Sequence, residues 1–134
     1  MTISIHINFN GQCQKAFEFY SQVLDGEIGS MLKFGDSPAG QQAAKEWQDK
    51  IVHANIIIQD IEIAGGDVTP EQYLAPQGFH LLLSVENEEE AQTIFNALSK
   101  DGHIVLPLQE TFWSSCYGIL VDRFGVPWKI NCRQ

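Results

Sequence analysis

Residues 3 to 9, Ile-Ser-Ile-His-Ile-Asn-Phe, alternate without a break. Ile3, Ile5, Ile7 and Phe9 fall on one face and Ser4, His6 and Asn8 on the other, the pattern of a half-buried strand. Asn10-Gly11 ends the alternation, and the period changes. Cys13, Ala16, Phe17, Tyr20, Val23 and Leu24 form one stripe at helical spacing, stopped by Gly26. The same sequence of signals then returns. Phe79 to Val85 reads as a strand, Asn87 with Glu90 as a helix start, and Ala91, Ile94, Phe95 and Leu98 as the helix stripe before Gly102. The first four stripe positions of the two helices differ by a constant 78 residues, and the strand histidines His6 and His80 by 74.

Three further strands are predicted after each helix. In the first half they are Glu27 to Phe34, Ile51 to Ile58 and Ile61 to Ala64, with Gln59-Asp60 as a tight hairpin turn. In the second they are His103 to Leu108, Cys116 to Val121 and Val126 to Asn131, the last two joined by the turn Asp122-Arg-Phe-Gly125. Residues 35 to 49 read as a long polar loop with a short helical turn at Gln42 to Trp47. The expected fold is α+β, one domain built from two βαβββ modules, 1–68 and 78–134, joined by a linker over 69–77. Side by side, the modules would supply eight mostly antiparallel strands curving around a concave surface, with the helices outside.

Composition narrows the function classes. The net charge of -9 opposes binding to nucleic acid phosphates. No apolar run approaches the roughly 20 residues of a membrane span, and no secretory leader opens the chain, so the cytoplasm is the expected compartment. Cys13, Cys116 and Cys132 are widely spaced with no CxxC, which reads as three free thiols in a reducing environment.

On these elements the chain resembles the vicinal oxygen chelate superfamily of glyoxalases, extradiol dioxygenases and fosfomycin and bleomycin resistance proteins. More narrowly it resembles the PhnB-like branch, labelled demethylubiquinone methyltransferase-like. The residues that carry the likeness are Phe9-Asn-Gly11, Ala16-Phe-Glu-Phe-Tyr20, Val52-His-Ala54, Pro107-Leu-Gln-Glu-Thr-Phe-Trp113, Tyr117-Gly118 and Asp122-Arg-Phe-Gly-Val-Pro-Trp128. The resemblance implies a cavity whose metal ligands come from the first strand of each module and the last strand of the second. His6 and His80 match the first-strand positions, and their parity opposes the apolar residues that pack under each helix. The third ligand, a glutamate, falls on Lys129, whose ammonium would oppose a cation. Asn131 shares that face and offers only an amide oxygen, while Glu62 and Glu110 are the other available acids.

Two readings of the histidines stand side by side: metal ligands, or polar groups lining a wet cavity. His53 is read as structural or cavity-lining. Trp113 and Tyr117 are assigned to a pocket wall with Asn8, His53 and Lys129 as the other ligand-binding residues, and Trp128 to the core. The resulting expectation is a small-molecule-binding protein without a complete metal site and without a cofactor, associating as a homodimer. The alternative is a lyase, isomerase or dioxygenase using Zn, Mn, Ni or Fe on His6 and His80. A methyltransferase would need a glycine-rich cofactor cradle in a parallel sheet, which Gly65-Gly66 does not make.

Overall fold

The computed structural model describes residues 1–38 and 40–132. The chain divides into two compact units, Met1–Leu74 and Ala75–Gln134. Unit one runs β1 (Ile5–Phe9), α1 (Cys13–Leu24), β2 (Glu27–Lys33), α2 (Lys45–Gln48), β3 (Ile51–Ile58) and β4 (Ile61–Asp67). Unit two runs β5 (Leu81–Val85), α3 (Glu88–Ser99), β6 (His103–Gln109), β7 (Tyr117–Val121) and β8 (Pro127–Cys132). The βαβββ plan expected from the periodicity is present twice. The fold class is α+β, with two open sheets of four strands each, and among the described residues no helix is long and apolar enough to cross a membrane.

Both sheets share one topology. The strand order is β1-β4-β3-β2 in unit one and β5-β8-β7-β6 in unit two. In each, the first and last strands pair in parallel and the remaining pairs are antiparallel. One face of each sheet lies under a helix. There Phe9, Phe17 and Tyr20 are buried in unit one, and Phe95, Leu98, Leu120, Trp128 and Ile130 in unit two. Gly65 is required by close approach in unit one: a Cβ there would meet Phe17 at 2.9 Å and Phe9 at 3.0 Å.

Local chemistry sets the element ends. Asn87 accepts the Glu90 N–H at 2.8 Å, the expected helix start, while the Glu90 carboxylate turns back to the Glu86 N–H at 3.4 Å. Helix α1 ends on Asp25, left-handed at φ 54°, one residue before the expected Gly26. Gln59 and Asp60, at φ 50° and 66°, form the two-residue turn between β3 and β4.

Candidate functional site

In each unit a buried aspartate holds the ends of elements together. The Cys13 N–H donates to Asp67 Oδ1 at 2.9 Å and the Ile51 N–H to Asp67 Oδ2 at 2.8 Å, fastening the start of α1 and of β3 to the end of β4. In unit two, Asp122 Oδ1 accepts the Phe124 and Val126 N–H groups at 2.8 and 3.0 Å, and Oδ2 accepts the Trp128 indole N–H at 2.9 Å. The motif Asp122 to Trp128 is thus a folding device. Trp128 is 1% exposed, in the core as its parity requires.

The cysteines depart from expectation. Cys116 and Cys132 form a disulfide with Cα atoms 5.3 Å apart, and only Cys13 is free. The reason is register. Tyr117 pairs with Asn131 across the β7–β8 hairpin, so Cys116 and Cys132 sit directly opposite each other one step further from the turn. The Cys132 N–H donates to the Cys116 carbonyl at 2.9 Å, and the buried Ser114 hydroxyl donates to the same carbonyl at 2.7 Å. Both cysteines lie eight residues from Phe124, the midpoint of the hairpin register, and that spacing was the available sequence signal. Burial, then the charge of Asp67, pushes the Cys13 thiol up to about 12, so it is no nucleophile.

The candidate site residues lie on the helix-free faces. In unit one, His6 and Asn8 project from β1 and His53 and Asn55 from β3, with Ala64 and Gly66 of β4 between them. His6 and His53 come together, ring centroids 6.5 Å apart. Asn55 is fully used: its Oδ1 accepts the Ser30 N–H at 2.6 Å and its Nδ2 donates to Glu62 at 3.2 Å. A cleft of about 560 Å³ on this unit is lined by Gly11, Lys15, Glu46, Lys50 and Asp67, and two of these polar groups, Lys50 and Asp67, are bonded within the fold. The Lys50 Nζ donates to the Gly11 carbonyl at 2.9 Å, and Asp67 is engaged as above.

In unit two, Tyr117, Ile119 and Val121 of β7 lie opposite Asn131, Lys129 and Pro127 of β8. Trp113 packs edge-on against Tyr117 at 5.2 Å and Phe112 edge-on against Trp113 at 4.8 Å. Trp113 remains 50% exposed and Phe112 97%. His80, just before β5, has its pKa held below the ordinary 6.5 by partial burial and by the Lys129 ammonium. The buried oxygen of Asn131 has no hydrogen-bond partner.

Among the described residues no three of His, Cys, Asp and Glu gather where they could hold an ion. His6 belongs to unit one and His80 to unit two. The position that should supply a carboxylate supplies Lys129, close enough to His80 to disfavour a second positive charge there.

The sequence matches, over residues 1–131, the model of a family described as 3-demethylubiquinone-9 3-methyltransferase. Protein PA1353 from Pseudomonas aeruginosa is 39% identical, with a TM-score of 0.89, over 100% of this chain and 98% of that one. A structure titled as a putative 3-demethylubiquinone-9 3-methyltransferase, PhnB protein, from Bacillus cereus is 25% identical with a TM-score of 0.86, over 99% and 100% of the two chains. The fold alone extends to the fosfomycin resistance protein FosX from Listeria monocytogenes, at 8% identity and a TM-score of 0.68, over 98% and 91%.

Proposed function

We propose that this chain, which belongs to the family described as 3-demethylubiquinone-9 3-methyltransferase and has a glyoxalase-like fold, binds a small molecule without a complete metal centre. The observation that carries this reading is Lys129. It stands beside His80, on the strand from which the fold's resemblance calls for a carboxylate, and, after burial, is the second cause that lowers the imidazole's basicity, a cation where a ligand set needs an acid. The aromatic wall of Trp113 and Tyr117, with half of Trp113 bare, is suited to a ligand with a conjugated or apolar body.

The family's description names a methyltransferase, and the backbone argues against reading that activity into this chain. A nucleotide-type methyl donor is typically cradled by a glycine-rich turn between a strand and a helix of a parallel sheet. Here Gly65-Gly66 lies inside β4, and each sheet has a single parallel pair. The same reading keeps the cytoplasm as the compartment and a homodimer as the assembly.

Metal analysis of the purified chain tests the proposal. We expect less than stoichiometric Zn, Mn, Ni or Fe and no thermal stabilisation on adding them. Stoichiometric metal that disappears in a His6→Ala/His80→Ala variant would replace this reading with the metal-dependent lyase, isomerase or dioxygenase. Native mass spectrometry should reveal a bound small molecule, and sedimentation reports the assembly.

A further inference from the structure

A buried carbonyl oxygen without a donor is an unfinished hydrogen bond. Among the described residues, Asn131 Oδ1 is the one buried side-chain oxygen or nitrogen in that condition. It lies on the helix-free face of unit two, because its β8 neighbours Ile130 and Cys132 are buried on the opposite parity. Tyr117 is its cross-strand partner on one side and Ser84 on the other. Neither supplies the missing donor.

Two further features converge on that point. Lys129 shares the face, two residues back along β8, so its stem starts about 7 Å from Asn131. No carboxylate of a described residue pairs with it, and its neighbour His80 is the group it repels. Beside Asn131 stands the ladder Phe112, Trp113, Tyr117, each adjacent pair edge-to-face, with Phe112 and Trp113 exposed. Such rings offer a stacking surface to a flat guest.

We infer that this face binds a flat conjugated molecule carrying a hydrogen-bond donor, given to Asn131 Oδ1, and an anionic group, held by Lys129. The inference rests on the small-molecule reading above and names the chemistry of its ligand. A carboxamide oxygen can only accept, so the ligand end it meets is an O–H or N–H. The ammonium can only donate, so the other end is a carboxylate, phosphate or comparable anion. Rigid spacing between the two ends is set by the β8 repeat, which favours one or two fused rings over a flexible chain.

Isothermal titration of the full chain with three related probes tests this. They are hydroxynaphthoate with its hydroxyl and carboxylate on opposite rings, naphthoate lacking the donor, and naphthol lacking the anion. Hydroxynaphthoate should bind about tenfold tighter than either of the others, the equivalent of one well-made polar contact. Asn131→Leu should erase its advantage over naphthoate while Asn131→Asp keeps an acceptor and the fold. Lys129→Gln should erase its advantage over naphthol. Equal affinity of all three probes, unmoved by Asn131→Leu and Lys129→Gln, would mean that water satisfies Asn131, and the inference fails. If that binding still vanishes in Trp113→Ala, the broader small-molecule reading survives. No binding of any probe also defeats the inference, and the copurification experiment then decides the broader reading by itself.

Discussion

The two modules share a topology and differ on one face. Aligning Gly65 with Trp128, which hold the same place against β1 and β5, equates His53 with Ile119, Asn55 with Val121 and Gly66 with Lys129. The helix-covered faces obey one rule in both units, apolar residues on the inward parity. The helix-free faces do not. Unit one offers imidazoles, carboxamides and the Glu62 carboxylate, of which Asn55 and Glu62 are bonded to each other. Unit two offers aliphatic side chains, an aromatic ladder, the Lys129 ammonium and, among the described residues, an amide oxygen without a donor. Duplication preserved what folds the module and left the other face open to divergence. The aspartates that hold the scaffold are satisfied, and the buried Asn131 oxygen on the open face of unit two is not.

The sharpest break in the shared scaffold should come from its aspartates. Asp122→Ala strands two backbone N–H groups and an indole N–H, and we expect a loss of about 4 kcal/mol. Asp67→Ala strands two backbone N–H groups and should cost about 3 kcal/mol. Urea unfolding of both variants measures the difference, and a loss under about 1 kcal/mol for either would remove it as a scaffold element. Asp122→Asn should fall between, since an amide oxygen can still take the turn's N–H groups while its NH2 faces the indole donor. The scaffolds also differ by a cross-link, because only unit two joins its last strands through sulfur. Reducing Cys116–Cys132, which are 16 residues apart, should cost about 3 kcal/mol by loop entropy, seen as a lower Tm with reductant. Cys116→Ser should show the same loss and no further response to reductant.

Legibility followed the same division. The strands, helices and inward parity could be read because burial imposes a period of two or 3.6 on the sequence. Trp128 was placed in the core on parity alone. What could not be read was contact between elements distant in the chain. His53 sits near His6 because β4 lies between β1 and β3, an order no local pattern encodes. Asp67 falls beyond the strand expected to end at Ala64 and carries no local signal, since its partners Cys13 and Ile51 lie far away in sequence. The disulfide needed the hairpin register to be counted outward from Asp122-Arg-Phe-Gly125. Asn131 was visible as a face residue, and its missing partner only became visible once every neighbour had a position.

The faces can be contrasted with one substitution made twice. Asn55→Leu removes an acceptor for the Ser30 N–H and a donor to Glu62, and should destabilise by about 1 to 2 kcal/mol. Asn131→Leu removes an unsatisfied buried oxygen and should stabilise by about 1 kcal/mol in the absence of ligand. Opposite signs in thermal unfolding would establish that one amide serves the fold and the other is held at the fold's expense. The same sign for both would erase the contrast.

The smallest effect concerns the ammonium. His80 titrates below its ordinary 6.5, first because of burial and second because of Lys129. Its folded form therefore binds fewer protons than the unfolded chain once the pH drops below that value. Stability from this group is retained at neutral pH, falls as the pH is lowered through the interval between the two pKa values, and stays lost beneath it. Because His80 is mostly exposed, the change is small and best followed at the imidazole itself. In Lys129→Gln the second cause is gone and the first remains, so the NMR titration midpoint of His80 should rise without fully reaching 6.5. An unmoved His80 midpoint would mean that Lys129 does not set the electrostatics of this face, and the main distinction between the two modules would shrink to their aromatic content.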